Sequence, residues 1–178
     1  SYIESDGYAI LLRLQDYSNN FKGDFIYINR DSYDFLNKSK VFPGDIVISN
    51  VGARCGLSFR APKLNKPMSL APNSILLRTN QNDDYIFQFL NSSIGQEKID
   101  MIKGISAQPK FNKTDFKNIE IILPSLDEQE KISKILSTWD LAIDKQEQLI
   151  EKKKEYKKGL MQRLLSGEVR FKEFNNKW

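Results

Sequence analysis

The stretch "LPSLDEQEKISKILSTWD", Leu123 to Asp140, decides how the rest of the chain is read. Pro124 closes an Ile-rich run, a cluster of acids follows, and apolar residues then return at helical spacing. Asp127, Glu128 and Glu130 fall where a helix dipole favours negative charge, and Ser125 is placed to cap the first turn. Beyond them Ile132, Leu136, Trp139, Ile143 and Ile150, then Leu160 and Leu164, keep steps of four and three. That spacing is the seam of a coiled coil. The same register puts Gln146, Lys153 and Lys157 on the seam, so Leu149 and Tyr156 are expected to take over in the middle. Gly167 is a natural stop. The reading is a helix over 125–166, ~60 Å long at ~1.5 Å per residue. A compact domain cannot bury that length, so the seam calls for a partner helix.

Charge divides this helix in two. Asp127 to Glu147 holds six acids and three bases, whereas Glu151 to Arg163 holds two acids and six bases. Two such helices laid antiparallel would set acidic halves beside basic ones. Complementing the helix dipole explains the same split.

Upstream, residues 1–124 read as a mixed α+β domain. The runs "YAILLRL", "GDFIYI", "GDIVISNVG" and "NSILLRT" are rich in aliphatic and aromatic residues and bounded by Gly, Asn, Asp and Pro, as strands between turns are. In "DDYIFQFLNSSIGQEKIDMI" the residues Ile86, Phe89, Leu90, Ile94 and Ile99 fit one helical face. The loop "KGISAQPKFN" and a last strand, "NIEIILP", complete the domain. The organisation is therefore 1–124 domain, 125–166 long helix, and 167–178 tail or linker.

The inventory points to binding rather than catalysis. Among 178 residues there is no histidine and one cysteine, Cys55. That removes zinc sites, Ser/His and Cys/His catalysis, and any disulfide within the chain. A single cysteine suits a reducing, cytoplasmic setting. No apolar run approaches the ~20 residues of a membrane span. "GARCG" lacks the Gly-Lys-Ser/Thr ending of a phosphate loop and reads as a turn.

The net charge is only +4, so a basic surface must come from segregated charge. Residues 38–66 carry Lys38, Lys40, Arg54, Arg60, Lys63 and Lys66 against Asp45 alone. Residues 103–117 carry Lys103, Lys110, Lys113 and Lys117 against Asp115. Their loops also hold Asn50, Ser106, Gln108 and Asn112. Lys and Arg contact phosphates, while Arg, Asn and Gln read base edges with paired hydrogen bonds. Asn50, Arg54, Arg60, Lys103, Ser106, Gln108, Lys110, Asn112 and Lys113 are thus the candidate DNA-binding set.

These residues resemble a known family, the specificity (S) subunits of type I restriction-modification enzymes. Leu123, Pro124, Glu128, Gln129 and Ile132 match its Leu-Pro-x-x-x-Glu-Gln-x-x-Ile pattern, and Gly159 to Arg170 resembles the end of its conserved region. "FPGDIVISNVGARCG" and "GISAQPKFNKTDFKNIEIILP" resemble the later part of a target recognition domain. The resemblance implies a non-catalytic subunit that binds half of a split site in double-stranded DNA and sets half-site spacing through its helix. It implies methyltransferase (M) and restriction (R) subunits as partners, with S-adenosylmethionine, ATP and Mg on those partners and no cofactor on this chain. A full S subunit carries two recognition domains and two conserved helices; this chain has one of each. It reads as a half-subunit that dimerises through its helix, or as half of a longer subunit. The alternative is a DNA-binding regulator that dimerises through a coiled coil without an enzyme partner.

Overall fold

The computed structural model describes residues 2–3, 6–104, 107–174 and 176, with the backbone alone for 2 and 3. It forms two compact units, 1–133 and 134–178.

The first unit is built on two sheets. Strands β1 (Tyr2–Ile3), β2 (Ala9–Leu12), β3 (Tyr27–Ile28), β4 (Lys40–Val41) and β7 (Met68–Leu70) make a five-stranded sheet in the order β1-β3-β2-β7-β4. Only β2 and β7 run parallel in it. Strands β5 (Ile46–Ser49), β6 (Ser58–Arg60) and β8 (Ser74–Leu77) make an antiparallel sheet in the order β6-β5-β8. Helices α1 (Leu14–Ser18), α2 (Arg30–Phe35), α3 (Asp83–Asn91), α4 (Ser93–Met101) and α5 (Lys113–Lys117) join and cover them.

The period-two alternation of a strand sorts the core into layers. Val47 of β5 packs with Ile10, Leu12, Phe59 and Met68 between the sheets. Its neighbours Ile46 and Ile48 face the other way, onto Tyr85, Ile86, Leu90 and Ile99 of α3 and α4. Ala9 and Leu11 of β2 likewise turn from Ile10 and Leu12 to meet Tyr33 of α2. Both strands are covered on both faces. That is why "AILL" and the "IVI" of β5 are continuous apolar runs rather than alternating ones.

Asp45 ties the edge of this core. Burial works against its charge, but hydrogen bonds from Arg78 (2.9 and 2.5 Å) and from the Phe42 N–H (2.6 Å) outweigh it. Its carboxyl is held below the usual carboxylate range.

Two sequence expectations change. The single helix over "DDYIFQFLNSSIGQEKIDMI" is two, broken at Ser92, whose ψ of 161° is extended. Its hydroxyl caps both ends, donating to the Phe89 carbonyl (2.7 Å) and accepting from the Gly95 N–H (3.1 Å). A Cβ on Gly95 would lie 2.0 Å from that carbonyl oxygen, so the corner needs glycine. The break turns Ile94 outward, 52% exposed, while Ile99 is buried. The expected last strand, "NIEIILP", joins no sheet among the described residues. Side chains hold it instead: the Tyr85 hydroxyl donates to the Ile122 carbonyl (2.7 Å), and Ile119 and Ile121 pack on the α3–α4 core.

Helix α6 (Leu126–Leu165) starts within the first unit. The Ser125 hydroxyl accepts from the Glu128 N–H at its start (3.4 Å), as a cap does. Ile132 packs against the α3–α4 core. The second unit holds the rest of α6 and the tail. Gly167, at φ +74°, ends the helix, and the Val169 N–H returns to the Arg163 carbonyl (3.0 Å). Leu164, Val169, Phe171 and Phe174 line an apolar hollow of about 270 Å³ there. No helix among the described residues is long and apolar enough to cross a membrane.

Candidate nucleic-acid interface

The loop 50–56 joins β5 to β6 and brings the two basic segments together. It is laced to residues 109–111 by backbone hydrogen bonds. The Gly52 N–H donates to the Pro109 carbonyl (2.9 Å), the Phe111 N–H to the Asn50 carbonyl (3.1 Å), and Val51 bridges Lys110. Between them lies a concavity of about 590 Å³ that Asn50, Lys110, Asn112 and Lys113 all line. Four of the nine candidates thus meet at one place although some 60 residues separate them. Asp115 also lines it, an acidic member the sequence reading counted only against the charge.

Their side chains are not equally available. Lys110 and Lys113 are exposed and form no ion pair among the described residues, which suits phosphate contact. The Asn112 amide is occupied: it accepts from the Asp115 N–H (2.8 Å) to cap α5 and donates to the Asp115 carboxylate (2.7 Å). Asn50 donates to the Phe111 carbonyl (3.1 Å), and its buried Oδ1 meets no partner among the described residues. An orphaned buried acceptor costs stability.

The remaining candidates are placed otherwise. Arg54 is exposed at the tip of the 50–56 loop and donates to the Ser18 hydroxyl (2.5 Å). Arg60 is bound into the fold. It donates to the Gly44 carbonyl (2.7 Å) and the Asp83 carbonyl (2.9 Å), pairs with Asp84, and lies over the Phe87 ring. Lys103 pairs with Asp100 and lies against Gly56. Gln108 is exposed. Ser106 lies outside the described residues. Burial pushes the nearby Cys55 thiol up, with Lys103 opposing, so it carries no thiolate at neutral pH.

The motif residue Gln129 does work that spacing alone did not reveal. It is wholly buried. Its amide donates to the Pro124 carbonyl (2.8 Å) and the Gln81 side chain (3.0 Å), and its oxygen accepts from the Asn82 N–H (3.1 Å). Every strong hydrogen-bonding direction of the side chain but one is used, so Gln129 fastens the start of α6 to the start of α3. Farther on, Leu136, Trp139, Ile143, Ile150 and Leu160 are 38–67% exposed, and Leu164 is half-buried at the hollow beside the tail.

The family model for the type I restriction modification DNA specificity domain matches residues 11–154. The chain belongs to this family. A putative type I restriction enzyme MjaX specificity subunit from Methanocaldococcus jannaschii is 31% identical over 146 residues, covering 79% of this chain and 34% of the relative. The S subunit of a type I restriction-modification system from M. genitalium matches in structure with a TM-score of 0.59 and 22% identity, over 73% of this chain and 34% of that one. The fold of this specificity domain, a mixed α+β unit followed by a long helix, is therefore that of an S subunit. The chain spans about a third of the length of each relative.

Proposed function

We propose that this chain is a DNA-reading, non-catalytic part of a type I restriction-modification specificity subunit, binding one half of a split duplex target. The observation that carries the reading is the lacing of the 50–56 loop to residues 109–111, which puts Asn50, Lys110 and Lys113 at one concavity with Arg54 exposed on the loop that holds Asn50. Cations there contact phosphates, and Arg54 keeps donors to spare for a guanine edge. Beyond Ser133, α6 would pair antiparallel with a second such helix, from a second copy or from the other half of a longer subunit. At ~3.4 Å per base pair, a helix of ~60 Å is commensurate with half-sites one to two turns apart. M subunits would dock on the paired helices and an R subunit on them, in the cytoplasm, with methyl transfer and cleavage left to those partners.

The test is the methylation pattern of cells carrying this chain with a type I M subunit. A two-part motif with a fixed gap is expected. A complex that forms but methylates no new motif would overturn the reading. Arg54→Ala is expected to weaken binding to the recovered motif by about 1–3 kcal/mol more than binding to random duplex; equal loss on both would leave Arg54 a phosphate contact only.

A further inference from the structure

One turn outside the basic segments presents amide side chains to solvent. Asn20 and Phe21, just after α1, are consecutive left-handed residues with φ of +52° and +54°. Asparagine tolerates that region, but an aromatic residue enters it only when its surroundings force it. Here they do. The Phe21 ring packs edge-on against Tyr17 (5.9 Å between centroids) and tilted against Phe59 (6.2 Å), and Phe59 is 1% exposed in the inter-sheet core. The Phe21 N–H donates to the Asp16 carbonyl (2.7 Å), and the Asn20 and Lys22 N–H groups to those of Tyr17 (2.9 Å) and Asn19 (3.0 Å). Asp16 is itself buried and bonded to Arg13.

All this fixing serves side chains that the fold does not use. Asn19, Asn20 and Lys22 are exposed, and their side chains bond no other described residue. Strain held by packing in this way concentrates at binding sites, where it orders a loop before the ligand arrives. The turn also lies next to one of the candidate residues, because Arg54 donates to the hydroxyl of Ser18, the residue before it (2.5 Å).

We propose that the Asn19–Lys22 turn is a second base-reading element of this domain, flanking Arg54. Asn20 reads an adenine edge through its amide and Lys22 neutralises a neighbouring phosphate. Asparagine matches the adenine N6/N7 pair in the major groove, and a preordered turn loses little freedom in making that contact. The proposal rests on the DNA-reading function above.

The experiment selects binding sequences from a pool of randomised duplexes with the full chain as wild type, Asn20→Gly, Lys22→Ala and Arg54→Ala. Glycine adopts the positive φ freely, so Asn20→Gly keeps the turn and should melt no lower than wild type. It is expected to lose preference at one adenine of the motif by about tenfold, with affinity for random duplex unchanged within about twofold. Lys22→Ala should weaken all duplexes alike and lower the salt slope by about one. If Arg54→Ala alters the motif while Asn20→Gly returns it intact, the turn reads no base and this proposal falls alone. If the wild-type chain enriches no sequence, the DNA-reading function falls and takes this proposal with it.

Discussion

The start and the remainder of α6 are one continuous helix with opposite burial. In the first two turns Gln129 and Ser133 are buried and Ile132 packs on the α3–α4 core. Beyond Ser133, Ile135, Trp139, Leu141, Ile143 and Leu165 are each more than half exposed. A monomeric protein rarely leaves so many large apolar residues along one element, and such stretches mark interaction surfaces. The difference separates two jobs within one secondary-structure element. The first turns complete the recognition domain; the rest offers an apolar face that this chain alone does not cover. The seam read from spacing runs through both, so its first member, Ile132, already has a partner in its own domain.

The largest effect on that comparison is expected at Gln129. Gln129→Ala removes three hydrogen bonds and leaves the Asn82 N–H and Pro124 carbonyl short of partners. Unfolding of the domain should become easier by about 3 kcal/mol, read from urea denaturation. A change below about 1 kcal/mol would mean that the first turns only rest on the domain.

A smaller effect comes with pH. The Asp45 carboxyl sits below its ordinary value, so its contribution is fully present above about pH 4 and is lost as pH falls through the folded-state value. Arg78→Ala should cost about 1 kcal/mol or less at pH 7, because the arginine is half exposed, and less still at pH 3. Urea midpoints at the two pH values check the sign; an equal cost at both would assign the effect to packing on Phe42, whose ring lies 5.1 Å from the Arg78 guanidinium, rather than to charge. The Lys154–Glu151 pair on α6 has both side chains about two-thirds exposed, so Lys154→Ala should shift no midpoint.

How far these features could be read from sequence depends on the distance over which they are encoded. The long helix, its Ser125 cap and the strands Ala9–Leu12, Ile46–Ser49 and Ser74–Leu77 are legible because periodicity and turn residues are local. The break at Ser92 was not, since "SSIG" continues a helical pattern and only the approach of Gly95 to the Phe89 carbonyl closes the corner. The failed strand at 118–124 has strand-like residues, but pairing depends on a neighbouring strand, and none among the described residues takes it up. In the candidate interface, charge segregation singled out Lys110 and Lys113, which line the same concavity. It could not tell exposed Arg54 from Arg60, whose partners Asp83 and Asp84 lie 23 and 24 residues away. The Asn19–Lys22 turn left no signal at all, because nothing in "NNFK" says that Phe21 adopts a left-handed conformation until Phe59 is seen beneath it. Gln129 was legible as a motif and illegible as an anchor, its side-chain partner lying 48 residues upstream.

A similarly small effect on domain stability is expected at the apolar residues beyond Ser133, and it is the one that separates an uncovered face from an incidental one. Trp139→Ser and Ile143→Ser change exposed residues, so each should alter unfolding of the domain by about 0.5 kcal/mol or less at high dilution. If the face pairs with a second copy, the wild-type melting temperature rises with protein concentration, because association stabilises the folded form by mass action. The double variant should lose that concentration dependence and run as a monomer in light scattering, with the Gln129 anchor untouched. A wild-type chain already monomeric at high concentration would assign the face to the other half of a longer subunit or to a different protein. A double variant that still dimerises would show that the seam residues are not the contact, and would move the pairing to the apolar hollow at the tail.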